Sequence, residues 1–211
     1  DNNNWMEITT NLESTDFVGY EKNVTESIII RIISSNKNIK ILKKGEKAII
    51  ILNQTCFYGE AGGQIGDQGI LNNDNFVFAV SDTKKIFDKF VLHWGEVIKG
   101  KCSIGDQITA SIDIEKRNQI CNNHSSTHLL HSSLRKILGN HVTQKGSLVN
   151  DQKLRFDFSH NYPINSENIN NIEILVNNII KQSSPINIQL INQNKAIESG
   201  AMALFGEKYA D

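Results

Sequence analysis

Cysteine is scarce, with Cys56, Cys102 and Cys121 the three in 211 residues. An odd number at wide spacing argues against a disulfide scaffold, and a reducing, cytoplasmic setting is expected. No stretch approaches the ~20 apolar residues that a membrane span needs. The densest run, Ile28-Ile29-Ile30-Arg31-Ile32-Ile33, is short, β-branched and broken by a charge, as in a buried strand. No basic segment followed by an apolar one signals secretion. Excess charge is lacking too: 22 Lys and Arg against 23 Asp and Glu give a net charge of −1 and a pI of 6.7. Non-specific affinity for nucleic acid comes from clustered Lys and Arg, so a general polyanion binder is excluded and any RNA contact must be local. The chain begins at Asp1 rather than Met, and a fragment of a longer protein is expected. The material for a core is present, with 39% hydrophobic and 21% charged residues, enough for one large domain or two small ones.

Residues 1–24 are polar, include Asn2-Asn3-Asn4, and read as a tether entering a domain. Residues 25–114 read as all-β. Short runs at Ala48–Leu52, Phe76–Val80, Phe90–His93 and Ile108–Ile112 alternate with Gly, Asp and Asn turn signals, a spacing that suggests a small barrel. The pattern then changes. Glu115 to Leu138 reads as a helix stopped by Gly139, a residue favoured just past a helix end. Leu148-Val149 and Leu154–Phe158 read as strands. A second helix follows Pro163 and Ser166, with Ile169, Ile172, Leu175, Val176 and Ile179 on its buried face and Pro185 ending it. Ile186, Ile188 and Leu190 alternate as a further strand. Residues 115–211 are therefore expected to be α+β and incomplete at the C-terminus.

The sharpest cluster of reactive side chains is His124-Ser125-Ser126-Thr127-His128-Leu129-Leu130-His131. At about 100° per residue, positions i, i+4 and i+7 fall on one helix face. His124, His128 and His131 share it with Thr127 and Arg135, while Leu130, Leu134 and Ile137 form the adjacent anchoring stripe. Two imidazoles one turn apart can hold one Zn²⁺. With six His in the chain, a pair at this spacing arises by chance in about one such chain in six, so a core or surface role stands beside the metal one. Ser125 occupies the position where a zinc peptidase carries its general base, which disfavours that chemistry. Two other segments stand out. Phe57–Gly69 is rich in glycine yet matches neither a phosphate-binding loop nor a dinucleotide fingerprint. It is either a glycine-shaped hairpin or a loop lying against a substrate, with Gly62 and Gly63 at its centre. In His141–Val149, Gln144 is a neutral hydrogen-bonding side chain suited, with Thr127, to reading a small hydroxyl.

These motifs occur in one order: Phe17-Val18-Gly19-Tyr20, Gly62-Gly63-Gln64-Ile65-Gly66-Asp67, the His124–His131 run, Gln144–Val149, Leu154–Phe158 and Gly200–Tyr209. Together they resemble the editing region of alanyl-tRNA synthetases over nearly the whole chain. Free-standing alanyl-tRNA editing proteins are similar, although the last block is closer to the synthetase form. Cys56 stands where Pro is common, and Ser126 where Ala is. The resemblance implies a glycine-rich, barrel-like subdomain and an α+β editing core. It implies Zn²⁺ held by His124 and His128, with a further Cys and His beyond Asp211. Thr127, Gln144, Gly62 and Gly63 would meet substrate, and Lys116, Arg117, Arg135 and Lys145 the tRNA phosphates. The implied partner is tRNA(Ala) carrying serine or glycine, which an alanine pocket cannot strongly reject. The implied reaction is hydrolysis of that ester, the metal either activating water or holding the substrate amine or carbonyl. ATP and Mg²⁺ would belong to an aminoacylation domain outside this stretch. No membrane partner is expected, and this piece alone is expected to edit poorly. The rival readings are a free-standing deacylase and a non-catalytic RNA-binding module of the same fold.

Overall fold

The computed structural model describes residues 2–185 together with Asn192, Lys195, Glu198 and Ser199. Helix α1 (Asn2–Thr9) precedes strands β1 (Asp16–Phe17), β2 (Val24–Ser34), β3 (Lys37–Ile39), β4 (Ile41–Lys43), β5 (Lys47–Leu52) and β6 (Gln54–Thr55). Strands β7 (Gly69–Asn73), β8 (Phe76–Ile86), β9 (Phe90–Ser103) and β10 (Gln107–Ile112) follow. Helix α2 (Ile114–Leu138), strands β11 (Gln144–Val149) and β12 (Leu154–Phe158), and helix α3 (Ser166–Lys181) complete the described elements. The strand expected at Ile186–Leu190 and the block Gly200–Tyr209 lie outside the described residues. The mixed α+β content agrees with the sequence. The chain divides into two compact units, Asp1–Ser125 with Ser147–Arg155, and Ser126–Gly146 with Phe156–Asp211.

In the first unit β10 pairs antiparallel with both β7 and β2, closing β10-β7-β8-β9-β5-β2 into a six-stranded barrel. Closure leaves those strands no unpaired edge. Alternation along each strand fills the interior: Ile108, Ala110 and Ile112 from β10, Phe76, Phe78 and Val80 from β8, Ile50 and Leu52 from β5. Each of these side chains except Ala110 contributes about 1.5–3 kcal/mol on full burial. From Ile29 onward the isoleucine run of β2 is covered on both faces, whereas Ile28 is exposed. Ile29 and Ile32 point into the barrel, whereas Ile33 packs outside it with Ile51, Phe90 and Leu92. Ile8 of α1 covers that outer patch and is itself 4% exposed. Residues 2–9, inside the stretch expected as a tether, are thus helical, because Trp5, Ile8 and Leu12 supply an apolar stripe for that patch.

In the second unit Leu134, Val142 and Ile172 are buried among Leu130, Ile137, Phe156, Phe158 and Val176. The anchoring stripe expected for α2 is therefore in place. Gly139 ends that helix at φ +115°, with its N–H on the Arg135 carbonyl. Helix α3 starts at Asn165, whose side chain accepts from the Asn168 N–H, a favoured capping pattern. Two expectations for α3 are corrected. Ile169 is 53% exposed, because the described apolar cluster reaches only Ile172 and Val176 of that face. The helix stops at Lys181, where the Gln182 N–H bonds to the Ile179 and Ile180 carbonyls, before Pro185.

Candidate functional site

Helix α2 is continuous from Ile114 to Leu138, so His124 and His128 stand one turn apart on it. Within the first unit, Nδ1 of the half-buried His124 lies 2.6 Å from Oε1 of Gln64. An amide oxygen only accepts, so His124 donates from Nδ1, which in the neutral ring leaves Nε2 as the lone-pair nitrogen. Such a partner fixes both tautomer and ring orientation, as the outer hydrogen bond of a metal-ligating histidine does. Gln64 is 5% exposed and its backbone is fixed as well. Ala61 and Gln64 exchange N–H···O bonds of 3.0 and 3.2 Å across Gly62-Gly63. Both glycines have positive φ, +59° and +82°, as a two-residue hairpin turn demands. The Val149 N–H reaches the Gly63 carbonyl at 2.7 Å. A Cβ on Gly63 would lie 2.6 Å from the Ser147 carbonyl oxygen. The glycine-rich segment is therefore a tight hairpin, and one consequence is the placement of Gln64 against His124.

Within the second unit, Thr127 is 4% exposed, His128 is exposed, and Gln144 is half-buried at the start of β11. His131, grouped with the metal face by spacing, is 4% exposed and packs 5.1 Å from the Phe156 ring. Burial lowers its pKa, and the neighbouring Arg135 and His128 charges add to the effect, against a hydrogen bond at the Val142 backbone. His131 is thus held neutral and belongs to the packing of this unit. Among the described residues no group of three or more His, Cys, Asp or Glu could hold a metal.

The expected tRNA-contacting cations are placed unequally. Lys145 and Lys116 differ in that Lys145 is exposed and Lys116 donates to Oε1 of Gln68. Arg135 is turned inward, its Nη1 donating at 2.9 Å to the carbonyls of Asn140 and Val142 after α2. Arg117 forms a largely buried ion pair with Asp67. Its guanidinium also donates to the Gly19 and Cys56 carbonyls at 3.0 Å, and Asp67 accepts from the Tyr58 N–H at 2.7 Å. The group expected at a phosphate thus fastens three loops of the barrel. The two buried thiols offer no thiolate near neutrality: burial pushes Cys56 up to about 11, and burial with Asp106 pushes Cys102 up to about 12. Sequence reasoning passed over Gln64 and Asp67 as individuals. Both lie in the Gly62–Asp67 motif, a signal of importance without a signal of partner.

The sequence that forms this barrel and helix is similar to that of known proteins. The family model for class II tRNA synthetases (A) matches residues 1–116, and the chain belongs to that family. Over 207 residues it is 42% identical to the alanine–tRNA ligase of Mesorhizobium japonicum, covering 98% of this chain and 23% of that enzyme. The chain thus spans about a quarter of the length of this relative, and matches a fragment of an alanine–tRNA ligase. That similarity extends through α2, which lies almost wholly beyond the family-model match.

Proposed function

We propose that this region is the proofreading part of an alanyl-tRNA synthetase, hydrolysing the ester of serine or glycine on tRNA(Ala), while the parent enzyme attaches alanine using ATP and Mg²⁺. The observation that carries this reading is the bond from His124 Nδ1 to Gln64 Oε1 at 2.6 Å. A buried amide that fixes the tautomer and orientation of a histidine ring is the kind of support that a ligand to Zn²⁺ needs. His124 and His128 would hold the ion with ligands from outside the described residues. When bound, Zn²⁺ supplies Lewis-acid chemistry at a carbonyl or a water. The chain's own residues orient and select: Gln64 fixes the His124 ring, and Thr127 and Gln144 offer neutral hydrogen bonds to a serine hydroxyl. A pocket that accepts alanine gains little discrimination against one extra hydroxyl, so a second, hydroxyl-reading site removes that error. The test uses the full-length enzyme with His124→Ala and with His128→Ala. Loss of both bound zinc and seryl-tRNA(Ala) hydrolysis, with alanine attachment retained, is the expected result. Undiminished hydrolysis in both variants would overturn the reading.

A further inference from the structure

An aromatic slot stands beside the Gly62-Gly63 turn, formed wholly within the first unit. Tyr20 and Tyr58 flank Phe17, with ring centroids 5.1 and 6.1 Å apart and planes at 83° and 71°. The cavity they line, with Ala61 and Lys85 among its walls, measures about 140 Å³. Sites for drug-sized ligands run to ~300–1,000 Å³, so this one takes a single ring system. Tyr20 is 72% exposed and leaves a ring face open to solvent, although a lone tyrosine at a surface gains nothing from that exposure.

The slot is rigid. Arg117 donates to the carbonyls of Gly19 and Cys56, tying together the two segments that carry Tyr20 and Tyr58. Its partner Asp67 holds the Tyr58 N–H. Val18 is fixed in turn by its N–H on the Thr55 carbonyl at 2.9 Å. A Cβ on Gly19 would lie 2.5 Å from the Phe17 ring, so the glycine lets that ring fold back against its own backbone. Lys85, in the wall of the slot, pairs with Asp88 at 3.3 Å. Exposed pairs of this kind are worth ~0–1 kcal/mol, so Lys85 can exchange its carboxylate for a phosphate.

The slot also adjoins the candidate site. Ala61, one of its walls, exchanges two backbone hydrogen bonds with Gln64, which places their Cα atoms about 5.5 Å apart. Gln64 in turn holds His124. Open aromatic faces beside cations are the means by which proteins grip unpaired bases irrespective of sequence. We propose that Tyr20, Phe17 and Tyr58 form a stacking slot for an unpaired base at the acceptor end of the tRNA, holding that strand as its esterified terminus meets the His124 side of α2. The proposal rests on the reading of this region as one that acts on mischarged tRNA.

The test uses the full-length enzyme, with Tyr20→Leu to remove the ring and Tyr20→Phe to keep it. Tyr20 is exposed, so neither change threatens the fold. Stacking of one base predicts a KM for seryl-tRNA(Ala) hydrolysis about 5- to 150-fold higher in Tyr20→Leu, with Tyr20→Phe near wild type and alanine attachment unchanged in both. A photoreactive purine at the unpaired 3′ end of the tRNA should crosslink to the peptides containing Tyr20 or Tyr58. Unchanged KM in Tyr20→Leu, or crosslinks that avoid both peptides, would overturn the slot while leaving the editing reading intact. If the wild-type enzyme fails to hydrolyse seryl-tRNA(Ala), the editing reading falls, and the crosslink alone then decides the slot.

Discussion

Acid should unfold the barrel earlier than its carboxylates alone would, through one histidine. His93 is wholly buried, its Nδ1 2.9 Å from the Ile50 carbonyl and its Nε2 2.9 Å from the Thr55 hydroxyl. Phe57 stands edge-on 5.1 Å away. Burial lowers its pKa from 6.5 to about 4, the Ile50 carbonyl opposing only in part. Above pH 6.5 the ring is neutral whether the chain is folded or not, and contributes nothing to pH dependence. As pH falls through 6.5 the unfolded chain takes up a proton that the folded chain refuses until about pH 4, so stability is lost across that window. Each pKa unit is worth 1.36 kcal/mol, which makes the loss about 2 kcal/mol at pH 5 and about 3 kcal/mol at pH 4. Urea melts of the chain at pH 7, 6, 5 and 4 should show a falling midpoint, followed by near-ultraviolet signal. His93→Gln should start from a lower stability and lose about 2 kcal/mol less between pH 7 and 5. His131, whose pKa is lowered in the same direction, supplies part of the slope that survives. Identical slopes in wild type and His93→Gln would refute the reasoning.

Removing the orienting amide with Gln64→Leu should weaken zinc binding about 10- to 100-fold while the fold persists; competition with a chelator measures this, and unchanged affinity would contradict it. Asp67→Asn leaves the Arg117 charge buried without its counter-ion and should cost about 3–5 kcal/mol in denaturant melts; a loss below ~1 kcal/mol, the level of a surface pair, would mean that solvent reaches the pair. Gly66→Ala would bring a Cβ to 1.8 Å from the Thr83 carbonyl oxygen, so the loop must shift. That variant should melt well below wild type, and a melt within error of wild type would show that the loop yields freely.

Much of the barrel was legible because alternation is a local signal. The runs Phe76–Val80 and Ile108–Ile112 read as strands, and Phe76, Phe78, Val80, Ile108, Ala110 and Ile112 line the barrel interior. Closure was not legible, since it depends on the pairing of β10 with β2, and no residue within either strand names its partner. The polar start of the chain hid a helix because its apolar residues, Trp5, Ile8 and Leu12, are few and find their surface only in the folded barrel. The site divides in the same way. The His124 and His128 pair is visible as spacing on a helix, whereas the hydrogen bond from Gln64 spans 60 residues. Arg117 shows the limit of reading charge by position. An arginine beside a candidate RNA site suggested a phosphate contact, yet Asp67, 50 residues earlier, takes its charge.

The most direct test of the account is zinc content and seryl-tRNA(Ala) hydrolysis in the full-length enzyme, measured together for wild type, His124→Ala and His128→Ala. The account predicts zinc and hydrolysis in the wild type and the loss of both in each variant, with alanine attachment intact. Hydrolysis that survives both substitutions, or a wild type without zinc, would contradict it and leave the two histidines as structural residues of α2.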